Sequence, residues 1–425
     1  MPANFVPCFN QLIIKCFQSF AFAGCTILTP GCPLPNADIS GNFAIFHSKF
    51  DMPKSFDILV IGLGAHGSAA LYHLARTGLR VAGIDRFTPP HNHGSSHGQT
   101  RIIREAYHEN PVYVPFIDAA YDLWGALERE AGRTLFVKTG GLFMGRKETI
   151  VVSGARHSAE THGIAYEWLE AADIRRRFPA FRAPDGTVAV LEKRAGILFP
   201  EECIKAHLAG AVAHGAEIFC EERVLGVREM GDGVEVRTSK GTFIAGKVIV
   251  SAGAWVGDLL PDLRLPLMHE RQVVVWFRDK NGGEVLRAER MPVYIWEYEA
   301  GGMFYGFPDM GQGIKIGFHH GGRRIRPDEL RQDAGTGEIE AIAAIARTYL
   351  AIDPVVEAAS VCMYTNTPDE DFIIDEYPGW PQVLVLSPCS GHGFKFSSVI
   401  GKIASEWAVG RHPAFDLKPF RLGRW

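Results

Sequence analysis

The chain has 425 residues, 47% of them hydrophobic and 22% charged, with a net charge of −4. That length suggests two domains or one large domain with insertions, and the near-neutral charge without like-charge blocks argues against a nucleic-acid binder or a polybasic membrane anchor. No run of 18 apolar residues marks a membrane span, and the eight cysteines form no CxxC pair or zinc spacing, so neither a metal site nor a disulfide scaffold is expected.

In chain order, the first 50 residues stand apart. Their only charges are Lys15, Asp38 and Lys49, and they hold four of the cysteines, Cys8, Cys16, Cys25 and Cys32. AFAGC at 21–25 has the look of a signal or lipoprotein cleavage site, but no basic segment precedes it. MPKSFDILVIG begins at Met52 and runs directly into a strand. We expect Met52 to be the functional start and 1–51 to be an upstream extension, disordered or mis-assigned.

FDILVIGLGAHGSAALYHLARTGLRVAGIDR, residues 56–86, reads as strand, glycine-rich turn, helix and second strand. Gly62, Gly64 and Gly67 form G-x-G-x-x-G, and Asp85 follows Gly62 by 23 residues. Gly62 allows the tight turn, Gly64 lets backbone approach a pyrophosphate, and Gly67 lets helix and strand pack closely. The helix N-terminus offers N–H groups to phosphates, and Asp85 can accept from ribose hydroxyls. The pattern leaves NAD and FAD both open. A later apolar strand, KVIVSAG within 241–260, follows a short meander over 215–243. Many two-domain flavoproteins return a strand of this kind to the same sheet beside the cofactor, which favours FAD.

Four further stretches carry chemistry. PPHNHGSSHGQTRIIREAYHE (89–109) holds His91, His93, His97, His108, Arg101 and Arg104 in a loop leading towards a helix. A metal cluster and a solvated loop are alternatives to an anion-handling loop near a cofactor; the irregular spacing disfavours metal. GGMFYGFPDMGQGIKIGFHHGG (301–322) reads as two strands, with Lys315 between Ile314 and Ile316; pattern alone places such a lysine in solvent more often than in a core. ASVCMYTNTPDEDFIID (359–375) presents Cys362 and Tyr364 before a turn and a strand; a lone cysteine in apolar context is usually a small buried hydrophobe. SGHGFKFSS (390–398) sets Lys395 between Phe394 and Phe396, either as a loop lysine facing water or as a cation kept dry.

Taken together, DILVIGLGAHG, PPHNHGSSHGQTRIIREAY, YGFPDMGQGIKIGFHHGG, CMYTNTPDEDFIID and SGHGFKFSSVIG make residues 56–425 resemble the monomeric sarcosine oxidase and N-methyl-L-tryptophan oxidase family of amine-oxidising flavoproteins. The terminal FDLKPFRLGRW is more similar to the N-methyltryptophan branch. The resemblance implies a thioether between Cys362 and FAD, with His97 and Arg101 beside the flavin. It implies Arg104 and Lys395 as holders of the substrate carboxylate and Lys315 as the group that activates oxygen. Tyr305, His319 and Tyr364 match positions that line the substrate cavity. One departure is Cys389, a second thiol where many relatives carry small or apolar residues.

These roles have physical sense. A buried carboxylate needs cationic partners, and a guanidinium grips it through two parallel bonds. A fixed ammonium stabilises the charge that develops as oxygen is reduced to superoxide.

We therefore expect an α/β two-domain flavoprotein with a Rossmann-like FAD-binding domain (52–137, 197–265 and 360–425) and a mixed-sheet substrate domain (138–196 and 266–359), its helices on one face of the sheet. The implied reaction oxidises the C–N bond of a secondary amino acid such as sarcosine or N-methyl-L-tryptophan. Imine hydrolysis then gives formaldehyde and the primary amino acid, and oxygen becomes hydrogen peroxide. Expected partners are the amino acid and oxygen, with no nucleic acid, membrane or metal; a cytoplasmic monomer is expected. Rival readings are an oxidase of pipecolate, dimethylglycine or a glycated amino acid, a nicotinamide dehydrogenase, and an electron-passing flavoprotein subunit.

Overall fold

The computed structural model describes residues 53–425, and the expectations for Met52 and for 1–51 lie outside the described residues. Strand Lys54–Ile61 is the axis of the first sheet. It pairs in parallel with Thr242–Val250 on one side and Val81–Ile84 on the other, and Val81–Ile84 pairs in parallel with Glu217–Phe219. Thr242–Val250 also pairs in parallel with Trp380–Ser387, so the later apolar strand does return to the sheet beside the glycine-rich turn. The meander is present as Val224–Met230 and Gly233–Thr238, antiparallel to each other and to the first half of Thr242–Val250.

The continuous apolar run of the opening strand follows from burial on both faces. Ile58 and Val60 pack into a core with helices Ala65–Ala75, Val114–Ala131, Pro200–Ala213 and Ser397–Ala408. Leu59 and Ile61 alternate to the other side and join Val234, Val236, Val248 and Val383. A parallel sheet covered on both sides is what such a run encodes. Helix Ser397–Ala408 lies almost on the backbone of Ala65–Ala75, because Gly401 has no Cβ; one built there would sit 2.5 Å from Ala69.

The second sheet has eight strands in the order Pro354–Asn366, Met268–Asp279, Ile314–His319, Gly302–Phe307, Val293–Glu299, Gly141–Gly145, Val188–Glu192 and Tyr166–Glu170. It is mixed: Val293–Glu299 and Gly141–Gly145 run parallel and the other neighbours antiparallel. Strand Pro354–Asn366 runs across residues 359 and 360, where the sequence suggested a domain limit.

Helices cover both faces of this sheet rather than one. Leu142 and Met144 pack with Ile342 and Ala346 of helix Thr336–Tyr349, whereas Phe143 packs with Val151 and Ala155 of helix Ile150–His162. The fully buried strands Gly141–Gly145 and Val188–Glu192 require this second cover. Among the described residues no helix is long and apolar enough to cross a membrane.

Candidate active site

One large cavity lies between the two sheets, and it begins at the glycine-rich turn. Gly62 has φ +86°, and a Cβ there would sit 2.3 Å from the Ser251 carbonyl oxygen. A Cβ on Gly67 would sit 1.8 Å from the Gly62 carbonyl oxygen. Both glycines are therefore demanded by protein packing. Gly64 differs: its nearest neighbour, Ser96 Oγ, is 4.0 Å away, and the residue faces the cavity. The space beside Gly64 suits a ligand that approaches the backbone, and no side chain caps helix Ala65–Ala75. Asp85 closes this end. Its two oxygens accept from Leu63 N (2.7 Å) and Phe87 N (2.8 Å), which fixes the carboxylate at the cavity wall.

Strand parity supplies the opposite wall. In Ile314–His319, Ile314 and Ile316 enter the core, so Lys315, Gly317 and His319 face the other way. Their cross-strand partners are Phe307, Tyr305 and Met303, and on Pro354–Asn366 the same face carries Cys362 and Tyr364. Gly317 makes room for its partner: a Cβ there would meet the Tyr305 hydroxyl at 3.1 Å. His319 Nδ1 lies 3.3 Å from the Tyr364 hydroxyl.

Of the residues selected from sequence, Gly62, Gly64, Asp85, His97, Arg101, Arg104, Tyr305, His319, Cys362, Tyr364 and Lys395 line this cavity. Gly67 lies beneath the turn. Lys315 stands behind the wall, 2% exposed, contrary to the solvent position favoured by pattern alone. Its Nζ donates to the carbonyls of Gly98 and Thr100, both at 2.8 Å, and sits 4.2 Å from the centre of the Phe307 ring. Burial, then the Arg101 charge, pulls its pKa well below the usual lysine range. Two of three ammonium donors are used, which leaves one.

The loop that joins the walls brings cations inward. Arg101 donates to the carbonyls of Thr100 (2.8 Å) and Ser95 (2.6 Å), and Ser95 Oγ donates to Met363 O at 2.7 Å, tying the loop to the Cys362 strand. His97 is held neutral, its pKa lowered to about 4 by burial and by Arg101. The other histidines separate: His91 and His93 pack against Phe87, while His108 is buried beside Glu109 with neither ring nitrogen hydrogen-bonded. Among the described residues no three His, Cys, Asp or Glu side chains gather as metal ligands.

Arg104 and Lys395 form the most polar corner. Arg104 is 1% exposed; its guanidinium lies over the Tyr107 ring at 4.1 Å and donates to Glu109 at 2.6 Å. Lys395 donates to His392 O at 2.7 Å and more weakly to the Tyr107 hydroxyl at 3.4 Å. His392 Nε2 lies 3.0 Å from Glu370 O, which assigns the proton to that nitrogen and leaves Nδ1 to accept from Tyr107 at 2.6 Å. Trp124 Nε1 donates to Lys395 O at 2.9 Å and anchors the short helical turn Phe394–Phe396. Burial, reinforced by the Arg104 charge, lowers the Lys395 pKa to about 7.

Sequence reasoning missed Glu109, Tyr107 and His392. Glu109 sits five residues after Arg104 in a stretch chosen for its cations, and an unpaired buried arginine should have prompted a search for its carboxylate. The glycines of SGHGFKFSS answer to protein packing: a Cβ on Gly391 would meet the Tyr364 ring at 2.6 Å, and one on Gly393 the Pro388 carbonyl at 1.7 Å. Cys362 and Cys389 both line the cavity, and burial raises both thiols, Cys389 to about 11.

The cavity fits a flavin dinucleotide by its open Gly64 edge, its uncapped helix and its buried Asp85. Comparison with known proteins agrees. The profile of the family described as FAD dependent oxidoreductase matches residues 57–407. Monomeric sarcosine oxidase of Streptomyces avermitilis is 40% identical over 379 residues, covering 87% of this chain and 99% of that protein. N-methyl-L-tryptophan oxidase of Salmonella heidelberg is 37% identical over 373 residues, with coverage of 87% and 99%. Among solved structures, NikD, an amino acid oxidase essential for nikkomycin biosynthesis, aligns with a TM-score of 0.77 at 26% identity, covering 87% of this chain and 98% of that one.

Proposed function

This chain belongs to the FAD dependent oxidoreductase family, among the monomeric sarcosine oxidases and N-methyl-L-tryptophan oxidases, and from that premise we propose that its cavity oxidises the C–N bond of a secondary, N-methyl amino acid. The protein is an FAD-dependent oxidase. Bound FAD supplies the two-electron acceptor and passes the electrons on to oxygen. The observation that carries the substrate reading is the corner where Arg104 and Lys395 converge, both buried, with Glu109 as the nearby carboxylate. Two cations facing one carboxylate leave room for a second anion, and a substrate carboxylate matches it in charge and shape.

The chain's own residues then divide the work. Gly64, the uncapped helix and Asp85 would hold the dinucleotide. Arg104 and Lys395 would hold the carboxylate and so orient the amine. Tyr305, His319 and Tyr364 would shape the amine end of the cavity. His319 is buried enough that its pKa falls well below the usual imidazole range, so it is neutral at pH 7 and brings no charge to compete with the substrate. His97 and Arg101 would lie against the flavin, and Lys315 would hold a positive charge for reduced oxygen. The same reading makes the enzyme a cytoplasmic monomer, the second part supported by the name of its relatives.

Carboxylate recognition is tested by comparing an N-methyl amino acid with the amine that lacks its carboxyl group. We expect kcat/KM to fall at least 10²-fold, since a desolvated charge pair is lost; equal rates would remove the reading. The grip should also weaken with pH. Lys395 loses its proton as pH rises through about 7 in the free enzyme, so the charge is present below that pH and absent above it. The ratio of KM in Lys395→Met to KM in wild type should therefore shrink between pH 6 and pH 9, a ratio in which the substrate's own titration cancels.

Attachment of FAD through Cys362 is part of the proposal, supported by the thiol's place on the cavity wall. Acid precipitation of the purified protein should leave yellow colour in the pellet. Cys362→Ala should move the colour to the supernatant and Cys389→Ala should not; the reverse pattern would assign the tether to Cys389.

A further inference from the structure

We propose that Glu192 is a positioning residue for Arg104, a carboxylate that sets the geometry of the substrate-binding guanidinium without touching substrate. Glu192 ends strand Val188–Glu192 of the second sheet and is 1% exposed. Among the described residues no cationic side chain is in hydrogen-bond contact with it. Its oxygens accept from two consecutive backbone N–H groups instead, Glu105 N at 2.9 and 3.0 Å and Ala106 N at 2.8 Å. These are the two residues that follow Arg104. Arg104 Nη1 in turn donates to the carbonyl of Ala106 at 3.1 Å, so a residue that Glu192 holds by its N–H presents its carbonyl to the guanidinium.

The surrounding contacts make Glu192 the clamp nearest Arg104. Farther along, the loop is pressed against helix Ile150–His162: a Cβ on Gly154 would sit 2.4 Å from His108 O, and Ser158 Oγ donates to Tyr107 O. On the solvent side, Arg194 pairs with the Glu105 side chain. Among the described residues, Glu192 is the side chain that accepts from the backbone N–H groups at 105 and 106. A buried carboxylate is costly unless its lone pairs are used. Burial raises the Glu192 pKa to about 7 while the two N–H groups oppose the rise. A leucine or methionine would fill the same volume at lower cost but could accept from neither N–H group.

The proposal rests on the reading that Arg104 receives the substrate carboxylate, and the experiment separates the two. Glu192→Gln, Glu192→Asp and Arg104→Lys are assayed as FAD-loaded enzymes with sarcosine or N-methyl-L-tryptophan, whichever the wild type oxidises faster. Melting temperature and hydrogen exchange of the 101–109 peptide are measured alongside. Glutamine keeps the shape but sets an amide donor against an N–H, and aspartate keeps the charge but falls short. We expect both Glu192 variants to raise KM about tenfold, with kcat within twofold, the melting temperature within a few degrees and faster exchange in 101–109. The tenfold figure corresponds to the loss of about one buried hydrogen bond to a charged group. An unchanged KM despite faster exchange overturns the proposal, as does a parallel fall of kcat and melting temperature without a change in KM. If Arg104→Lys also leaves KM unchanged, the carboxylate reading itself has failed. If one Glu192 variant does not fold, the other decides.

Discussion

Lys315→Met should leave anaerobic bleaching of the yellow enzyme by substrate within a few-fold of wild type, and lower the rate of reaction with oxygen by about 10²–10³-fold, the cost of removing one preorganised charge from a developing anion. The expectation follows from where the ammonium sits. It is buried, held by the carbonyls of Gly98 and Thr100 and backed by Phe307 and Trp276, with one donor left over. Those carbonyls belong to the loop that also carries His97 and Arg101, so the lysine is tied directly to the proposed flavin wall. Methionine keeps the length and the ring contacts, which confines the change to charge and hydrogen bonding. The pH dependence has a definite sign: burial pulls the lysine well below its usual range, so the charge is present at low pH and lost as pH rises. Oxygen reactivity should fall on that limb, and Lys315→Met should be flat there. A variant that is equally slow in both half-reactions would make Lys315 a structural residue that holds the loop.

The second large effect is expected at Arg104. Arg104→Met should raise KM for an N-methyl amino acid by about 10²–10³-fold, since truncating one partner of a buried, hydrogen-bonded charge pair costs about 2–5 kcal/mol. Arg104→Lys should recover little, because one point charge cannot replace a planar fork. The substitution also strands Glu109, whose carboxyl is held well below the usual range by Arg104 despite burial. The single variant should therefore lose stability as well as affinity. Adding Glu109→Gln removes the stranded charge and should restore the melting temperature without restoring KM. Recovery of both would mean that Arg104 matters only for folding.

The parts of this site that were legible in the sequence are those encoded locally. A strand, three glycines and a terminal Asp85 within 30 residues of one another need no tertiary information, whereas Tyr305 and His319 were chosen by resemblance alone and line the cavity from neighbouring strands. What stayed hidden depends on contacts distant in sequence. Lys315 looked like an ordinary strand lysine because the two carbonyls that accept from it are 217 and 215 residues away. Glu192 drew no attention in the sequence because the N–H groups it holds are 87 and 86 residues away. The helix Ile150–His162 on the second face of the substrate sheet was missed although the apolar runs GLFMG and VAVL, over 141–145 and 188–191, carry the signature of strands buried on both faces. In SGHGFKFSS the need for Gly391 and Gly393 comes from Tyr364 and the Pro388 carbonyl, contacts that the nine residues do not contain.

The central claim is that these residues together oxidise N-methyl amino acids with oxygen. It is tested most directly by adding sarcosine, N-methyl-L-tryptophan, pipecolate, dimethylglycine and a glycated amino acid separately to the purified yellow protein in an oxygen electrode, with formaldehyde and hydrogen peroxide assayed in the same samples. The account predicts oxygen uptake with sarcosine, N-methyl-L-tryptophan or both, matched one to one by both products, without added nicotinamide. Uptake only with pipecolate, dimethylglycine or the glycated amino acid, or turnover only with a nicotinamide or an added protein acceptor, would contradict it.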